Sequence, residues 1–494
     1  MSHEMTHPQY AESGREDQGV GTRAILVFVV VSLALLMSSI GATVVAVGLP
    51  AMMDGLNTSL VWIGWVITGY TLTQAIVMPV AGKLTDEFGQ KPLFLGCVVL
   101  FTVGSLLCTI APNVYLMIVF RVLQALGGGA FMPSATSIIA DVFGPRYRAT
   151  AIGLFTSVFP IGGIIGPNVG GWVIDSFGWR AMFAINVPIG ILILALGIFL
   201  LPRSRRGTSS RGVDSVGIVT FALGLTAMMY GMTVWGNNIS FNAQVAIWVV
   251  GGLAALVYFI YHESRTRDPM IEIRLLRERA FFAANLYNFM HGAMVFGFFS
   301  FIPLYATVEY AMSAGRAGLV LTPRAILMIL FSTLGSFTLS RTGYRAPMIA
   351  GLVLNSIGLL LMSQSWHQPE IFGYTLSDTV LLSILVGITG IGVGIGSPAA
   401  NNAALDLMPE AVGRISGLRG MFRSVGGVLS TSIIVLILAH YQNRAEGLSD
   451  IFLVLGFLIL LAIPVVFMIP DTARLRRRDA TNPVERPAPQ PADD

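Results

Sequence analysis

Residues Ala24–Pro50 read AILVFVVVSLALLMSSIGATVVAVGLP, an uninterrupted apolar run with no charged side chain. About 20 apolar residues in helical form cross the hydrocarbon core of a bilayer, so this run is long enough to span it. It is longer than the roughly 7–15-residue apolar region of a cleavable secretion signal, and it follows a polar segment, 1–23, that reads as a disordered tail. We therefore read it as a first membrane span retained in the mature chain. Similar runs recur, and spans are expected at 24–49, 61–82, 93–110, 114–140, 149–173, 181–202, 214–235, 244–261, 281–306, 315–338, 346–363, 378–400, 418–440 and 451–470. Composition agrees. Apolar residues make up 54% of the 494-residue chain and charged residues only 11%, with a mean hydropathy of +0.74. A soluble domain carries about 25% charged residues to face water. The expected fold class is an all-α polytopic membrane protein with fourteen transmembrane helices.

The distribution of charge sets the orientation. Arginine and lysine gather in both tails and in the even-to-odd connections, whereas the opposite side holds only Arg180, Arg316 and Arg444. By the positive-inside rule both termini are expected in the cytoplasm of a bacterial cell, with the protein multi-pass in the cytoplasmic (inner) membrane. Polar stretches at Arg203–Ser215 and Tyr261–Arg279 divide the chain. The expected organisation is a tail at 1–23, a six-helix bundle at 24–202, a linker with two extra spans and an interfacial segment at 203–280, a second six-helix bundle at 281–470, and a Pro-rich tail at 471–494. No basic patch is large enough for nucleic acid. Cys97 and Cys108 lie in one apolar segment and read as packed or lipid-facing residues rather than a disulfide or metal site.

A weak internal repeat links the halves. Aligning Gly89 of Gly82-Lys-Leu-Thr-Asp86-Glu-Phe-Gly89-Gln-Lys91 with Gly343 of Leu339-Ser-Arg-Thr-Gly343-Tyr-Arg345 sets Lys91 on Arg345. Repeated halves with a path between them recur in secondary transporters. In the first stretch, glycine allows a tight turn, Asp86 can cap a helix N-terminus and Lys91 offers a countercharge, together a latch. This run resembles the signature loop between helices two and three of the major facilitator superfamily. Gly162-Gly-Ile-Ile-Gly166-Pro167-Asn-Val-Gly170-Gly171 resembles the antiporter signature of the same superfamily. Its small residues allow close helix approach, and Pro167 frees a carbonyl. Arg121-Val-Leu-Gln124 looks like the superfamily's intramembrane arginine motif; an arginine there either faces a cavity or partner, or snorkels to the interface. Three more stretches, Trp65–Tyr70, Trp179–Gly190 and Asp268–Arg277, are similar to the fourteen-helix drug:proton antiporter group.

The resemblance implies a major facilitator fold of two six-helix bundles plus an inserted pair, and export of small amphipathic, drug-like or lipid-like compounds. It also implies alternating access driven by proton entry, with no bound cofactor. One departure stands out. Members of that group commonly carry an aspartate in helix one, but this chain has Gly41 there, with Ala46 in place of an asparagine. No Asp or Glu lies deep within any expected span. The interior polar candidates are Arg121, Gln124, Asn288, His291 and Arg324. Histidine titrates near neutrality, so His291 reads either as a proton carrier or as a neutral, hydrogen-bonded residue, with Asn285 and Asn288 as its neighbours. A positive interior suits anionic or zwitterionic amphiphiles. Proton-independent transport or uptake stays open, as does a non-transporting scaffold or sensor. An enzyme is not expected, since no nucleophile–base pair or metal cluster lies at membrane depth. The expected partners are the substrate and membrane lipid. A monomer is expected, and the short outer loops argue against a large docking surface for a periplasmic adaptor.

Overall fold

In lipid every backbone N–H and C=O must find a partner within its own segment, which leaves the helix as the form open to these apolar runs. The structure, a computed structural model, describes residues 21–143, 145–202, 214–238, 240–266, 269, 276–293, 297–371, 374–406 and 412–471. The first half holds α1 (Thr22–Gly55), α2 (Leu60–Phe88), α3 (Gln90–Thr109), α4 (Val114–Val142), α5 (Pro145–Phe177), α6 (Ala181–Ala184) and α7 (Asn186–Leu200). An inserted pair follows, α8 (Ser215–Asn238) and α9 (Ala243–Glu263). The second half holds α10 (Arg279–Gly292), a 3-10 turn (Phe298–Phe301), α11 (Ile302–Tyr310), α12 (Ala314–Val320), α13 (Thr322–Thr342), α14 (Arg345–Met362), α15 (Asp378–Asp406), α16 (Val412–Leu438), α17 (Arg444–Leu460) and α18 (Ile463–Phe467). A short antiparallel ribbon, β1 (Glu370–Ile371) with β2 (Tyr374–Thr375), sits between α14 and α15.

Twelve helical stretches among the described residues are long and apolar enough to cross a membrane. Two segments read as spans from the sequence fall outside those twelve. One is α5, 33 residues long with Pro160 and Pro167 inside it. The other is the region expected as one continuous helix over 281–306. It is not uniform: α10 ends at Gly292, Ala293 and Gly297 take the wider π-helical geometry, a 3-10 turn follows at Phe298–Phe301, and 294–296 lie outside the described residues. This change of geometry falls where the chain packs against α16. A methyl on Gly292 would overlap the Arg423 carbonyl, one on Gly426 would overlap the Phe289 carbonyl, and one on Gly297 would overlap the Ser430 hydroxyl. The absence of side chains at these glycines lets the two segments approach closely.

The two ends of the bundle use different turn chemistry. At the far end, where α1 stops and α2 starts, Asn113, Asn242, Ser313 and Asn443 cap α4, α9, α12 and α17 by accepting from backbone N–H groups. At the near end the corresponding turns use glycine. Gly89 (φ 87°) and Gly343 (φ 74°) both adopt a left-handed conformation that a side chain would strain. Two residues later, Lys91 donates to the carbonyls of Ile198 (2.7 Å) and Leu201 (2.9 Å) at the end of α7. Arg345 does the same for Ile469 (2.9 Å) and Phe467 (3.0 Å) after α18. The repeat read from the sequence is thus a repeat of function: each half closes its last helix with a cation from its second turn. Lys91 thus serves as a C-cap for α7. Gly82 and Asp86 lie inside α2 rather than in a turn, and the Asp86 side chain, on which the expected latch depends, lies outside the described ones.

Packing is not symmetric along the membrane normal. One apolar core lies wholly within the first half, around Val27, Phe94, Phe101, Phe131 and Phe155. The larger core joins the second half to the far ends of α1, α2, α4 and α5, through Val44, Met52, Ile63, Val66, Met117 and Ile174. The halves therefore share a core at the far end. Outside, large apolar residues such as Phe199 (82% exposed) and Phe337 (79%) form a surface that only lipid can cover. Cys97 and Cys108 are both buried and free.

Candidate functional site

Arg121 does not snorkel. It is 1% exposed and points into the first half, where three helices supply its partners. Its Nε donates to the Val66 carbonyl of α2 (3.1 Å), and its Nη1 donates to the Gly41 carbonyl of α1 (3.2 Å) and to Gln124 Oε1 (2.5 Å). Gln124 Nε2 donates in turn to Ser105 Oγ of α3 (2.6 Å), whose hydroxyl donates to the Phe101 carbonyl (2.8 Å). The guanidinium lies 3.9 Å from the centre of the Tyr70 ring. A buried cation is tolerated only when fully coordinated, and here neutral oxygens and a π face do it. A side chain at Gly41 would start 3.9 Å from Gln124 Nε2 and press on the Phe101 ring at 3.1 Å. A carboxylate on residue 41 would enter this network; glycine leaves the network to the backbone.

The second half holds a matching cation with fewer partners. Arg324, on α13, is 3% exposed. Its Nε donates to Thr389 Oγ1 of α15 (3.2 Å), and its guanidinium stands 3.7 Å over the Phe299 ring. Its Nη2 is buried and has no hydrogen-bond partner among the described residues. An unmet charged donor costs roughly 1–3 kcal/mol or more, so the site is short of one acceptor. The glycines of α15 make room for it: a methyl on Gly390 or Gly394 would strike the backbone of Arg324 or Met328, while Gly392 packs against Gly351 of α14. None of the ion pairs among the described residues involves Arg121 or Arg324.

His291 lies in the last turn of α10, one residue before its end. Its Nε2 is 3.3 Å from Ser397 Oγ, its ring stacks on Tyr287, and Arg423, Arg324 and Arg419 all lie within electrostatic range. The expected Asn–His cluster does not form. Asn285 and Asn288 each donate to their own helix, to the carbonyls of Phe281 (2.9 Å) and Ala284 (2.8 Å). Of the phenylalanines that follow α10, Phe298 and Phe301 are core residues and Phe296 lies outside the described residues.

The model of the Major Facilitator Superfamily matches residues 31–261 and 284–491. The chain belongs to that superfamily. Its relatives within it include the multidrug transporter protein MdtP of Bacillus subtilis, 28% identical over 87% of this chain and 77% of the relative. The multidrug resistance protein B homolog of Mycobacterium tuberculosis is 30% identical over 84% of this chain and 76% of its own length. In fold, the chain is similar to the inward-open xylose transporter XylE of E. coli, with a TM-score of 0.61 at 15% identity, covering 93% of this chain and 99% of that one.

In this superfamily member the glycines of α5 serve two faces. A methyl on Gly162 would come within 2.5 Å of Ser39, and methyls on Gly166 and Gly170 would overlap Thr43 and Val44, so this row seats α5 on α1. The other face meets the second half. Gly318 of α12 sits on the Pro167 carbonyl, and a methyl on Gly171 would come 2.6 Å from the Ala314 carbonyl. Two hydrogen bonds flank this contact: Thr322 Oγ1 donates to Asn168 Oδ1 (2.8 Å), and the Gly315 N–H donates to Asp175 Oδ2 (2.8 Å). Pro167 thus offers its carbonyl as a surface for the other half.

One pair of residues escaped the sequence reading. Asp214, just before α8, accepts from the Gly217 N–H (2.9 Å), and its Oδ1 is 2.9 Å from His262 Nε2 on α9. Burial by itself would raise its carboxyl, but the Gly217 N–H and His262 outweigh burial and hold it below the usual carboxylate range. Beside it lies Glu263, only 2% exposed. A search for acids deep in a span passes over both, because each sits at the end of its helix.

Proposed function

We propose that this protein exports small amphipathic molecules across the cytoplasmic membrane by alternating access between its two halves, with proton entry as the energy source. The relatives described as multidrug proteins support the substrate class. The observation that supports the mechanism is a divided core: the far ends of α1, α2, α4 and α5 pack with the second half, the core around Phe94 and Phe131 belongs to the first half alone, and α2 and α16 also meet beside α8 through Leu72 and Met421. Rocking about such a seam exposes a central path to one side at a time.

In this reading the chain crosses the membrane fourteen times. The twelve apolar stretches are joined by α5, which packs along α1, and by the α10–α11 segment, which packs on α16 and α17. Both termini then lie in the cytoplasm, in keeping with the arginine bias, so the near end is cytoplasmic and the far end exofacial. Arg324 is the cation assigned to the path, Arg121 being coordinated within the first half, and an acidic or zwitterionic amphiphile is the substrate that would supply the acceptor Arg324 lacks.

A second reading, transport without proton coupling or in the uptake direction, is favoured by one observation: Gly41 leaves Arg121 without a carboxylate. Flux in proteoliposomes separates the two. An anionic fluorescent amphiphile should accumulate against its gradient when a pH gradient is imposed, and should merely equilibrate without one. Equal flux under both conditions would favour the second reading.

A further inference from the structure

At the far end of the second half, the loop between α14 and β1 gathers ionisable side chains that the site above does not use. His367 lies between two acids from different helices. Its Nε2 is 3.1 Å from Glu309 Oε1 of α11, and its Nδ1 is 4.0 Å from Asp378 Oδ2 of α15. The acids are largely covered, their side chains 17% and 22% exposed. The His367 ring also lies 4.9 Å from the Tyr310 ring, whose hydroxyl donates to the Trp366 carbonyl (3.2 Å). Asp378 Oδ1 accepts from the Gln368 N–H (2.9 Å). Ser365 Oγ reaches Tyr305 of α11 (3.0 Å) and Ser449 of α17 (2.7 Å). Ser365 (φ 48°) and Gln368 (φ 43°) are both left-handed, a conformation that residues with side chains keep only where their surroundings hold it. The loop is a strap, fastened to three helices.

A carboxylate can only accept a hydrogen bond, and a neutral imidazole has one N–H to donate. With an acid at each ring nitrogen, the neutral form would turn its lone pair toward a carboxylate. The imidazolium presents an N–H to both. We propose that His367 is an exofacial proton-binding site whose protonated ring ties α11 to α15 through Glu309 and Asp378. Histidine changes charge between about pH 5 and 8, so the strap is complete in acid and slackens as the ring loses its proton. Tyr305 and Tyr310 are the other titratable groups within the strap. From α17, Asp450 accepts from Tyr441 (2.9 Å), Glu446 acts on that same tyrosine, and Arg444 reaches Met53. Glu370 on β1, Arg316 on α12 and Asp54 on α1 are exposed and belong to none of the ion pairs among the described residues.

The strap acts on the contact between the halves. Ala311–Ser313 alone joins α11 to α12, and Gly318 of α12 sits on the Pro167 carbonyl of the first half. Holding α11 on α15 holds α12 at that contact, so acid outside favours far-end closure. This link rests on reading the α5–α12 contact as a closure; the proton site itself does not, and it needs no proton-driven transport.

Spin-label distances in the full-length chain in lipid nanodiscs, between exposed Val308 of α11 and exposed Val380 of α15, test it. One distance should dominate near pH 5, and longer ones should gain about three- to tenfold in population by about pH 8, as expected for two partly exposed ion pairs. The NMR signal of the His367 ring, assigned by its loss in His367→Gln, should titrate over the same range. His367→Gln should keep the alkaline distribution at every pH, and Glu309→Gln should shrink the response. A wild-type distribution that ignores pH, or one that responds equally in His367→Gln, would overturn the proposal. If this distance responds while that between labels at Phe177 of α5 and Leu319 of α12 does not, the proton site stands and its link to closure fails.

Discussion

Gly318→Ala should loosen the far-end closure and speed modification of a reporter cysteine at Thr322 by about tenfold relative to the same reporter without the substitution. The added methyl has nowhere to go, because it meets the Pro167 carbonyl, a backbone atom of α5. Overpacking of this kind costs roughly 1–3 kcal/mol, and about 1.4 kcal/mol is a tenfold shift in an equilibrium. That cost falls only on the state in which α5 and α12 touch, so the balance moves toward separation of the halves. Cys97 and Cys108 are buried and should contribute little background. An unchanged modification rate, in protein of normal yield, would mean that this contact does not close the path.

Arg324→Gln should lower export of an anionic amphiphile by about 10- to 100-fold while a neutral analogue of similar size is affected far less. A hydrogen bond to a charged group contributes roughly 1.5–3 kcal/mol, and the unmet Nη2 donor of Arg324 is the group free to make one. Glutamine keeps a donor toward Thr389 but removes the cation over Phe299. Comparing the two substrates separates lost recognition from lost stability, since a folding defect would depress both equally. Equal losses would remove Arg324 from the substrate path.

Much of the architecture was legible in the residues. Apolar runs long enough to span a bilayer fall on helices, and the short Gly89/Gly343 match marks two turns with the same backbone and the same capping role for Lys91 and Arg345. Those are local features: a run length, a turn and its flanking charge. What the sequence did not yield depends on contacts between distant segments. The close approach of Gly292 to Arg423 and of Gly426 to Phe289, where α10 gives way to π and 3-10 geometry, is encoded by no periodicity within 281–306. The Asn285–Asn288–His291 spacing suggested mutual bonding, yet in a helix an asparagine reaches its own carbonyl four residues back at least as readily. Asp214 and Glu263 are each unremarkable as helix-end acids, and only the antiparallel packing of α8 on α9 brings them together. Arg121 was found by motif, but the neutrality of its partners followed from Gly41 and needed the geometry to be seen.

The most direct test is a pair of distances measured by spin labels in the same protein, Phe88 with Arg341 at the near end and Phe177 with Trp366 at the far end. On addition of an anionic substrate and an imposed pH gradient, the near-end distance should shorten in the same population in which the far-end distance lengthens. If both distances move in the same direction, or neither moves while transport proceeds, the two halves do not alternate about the seam described here.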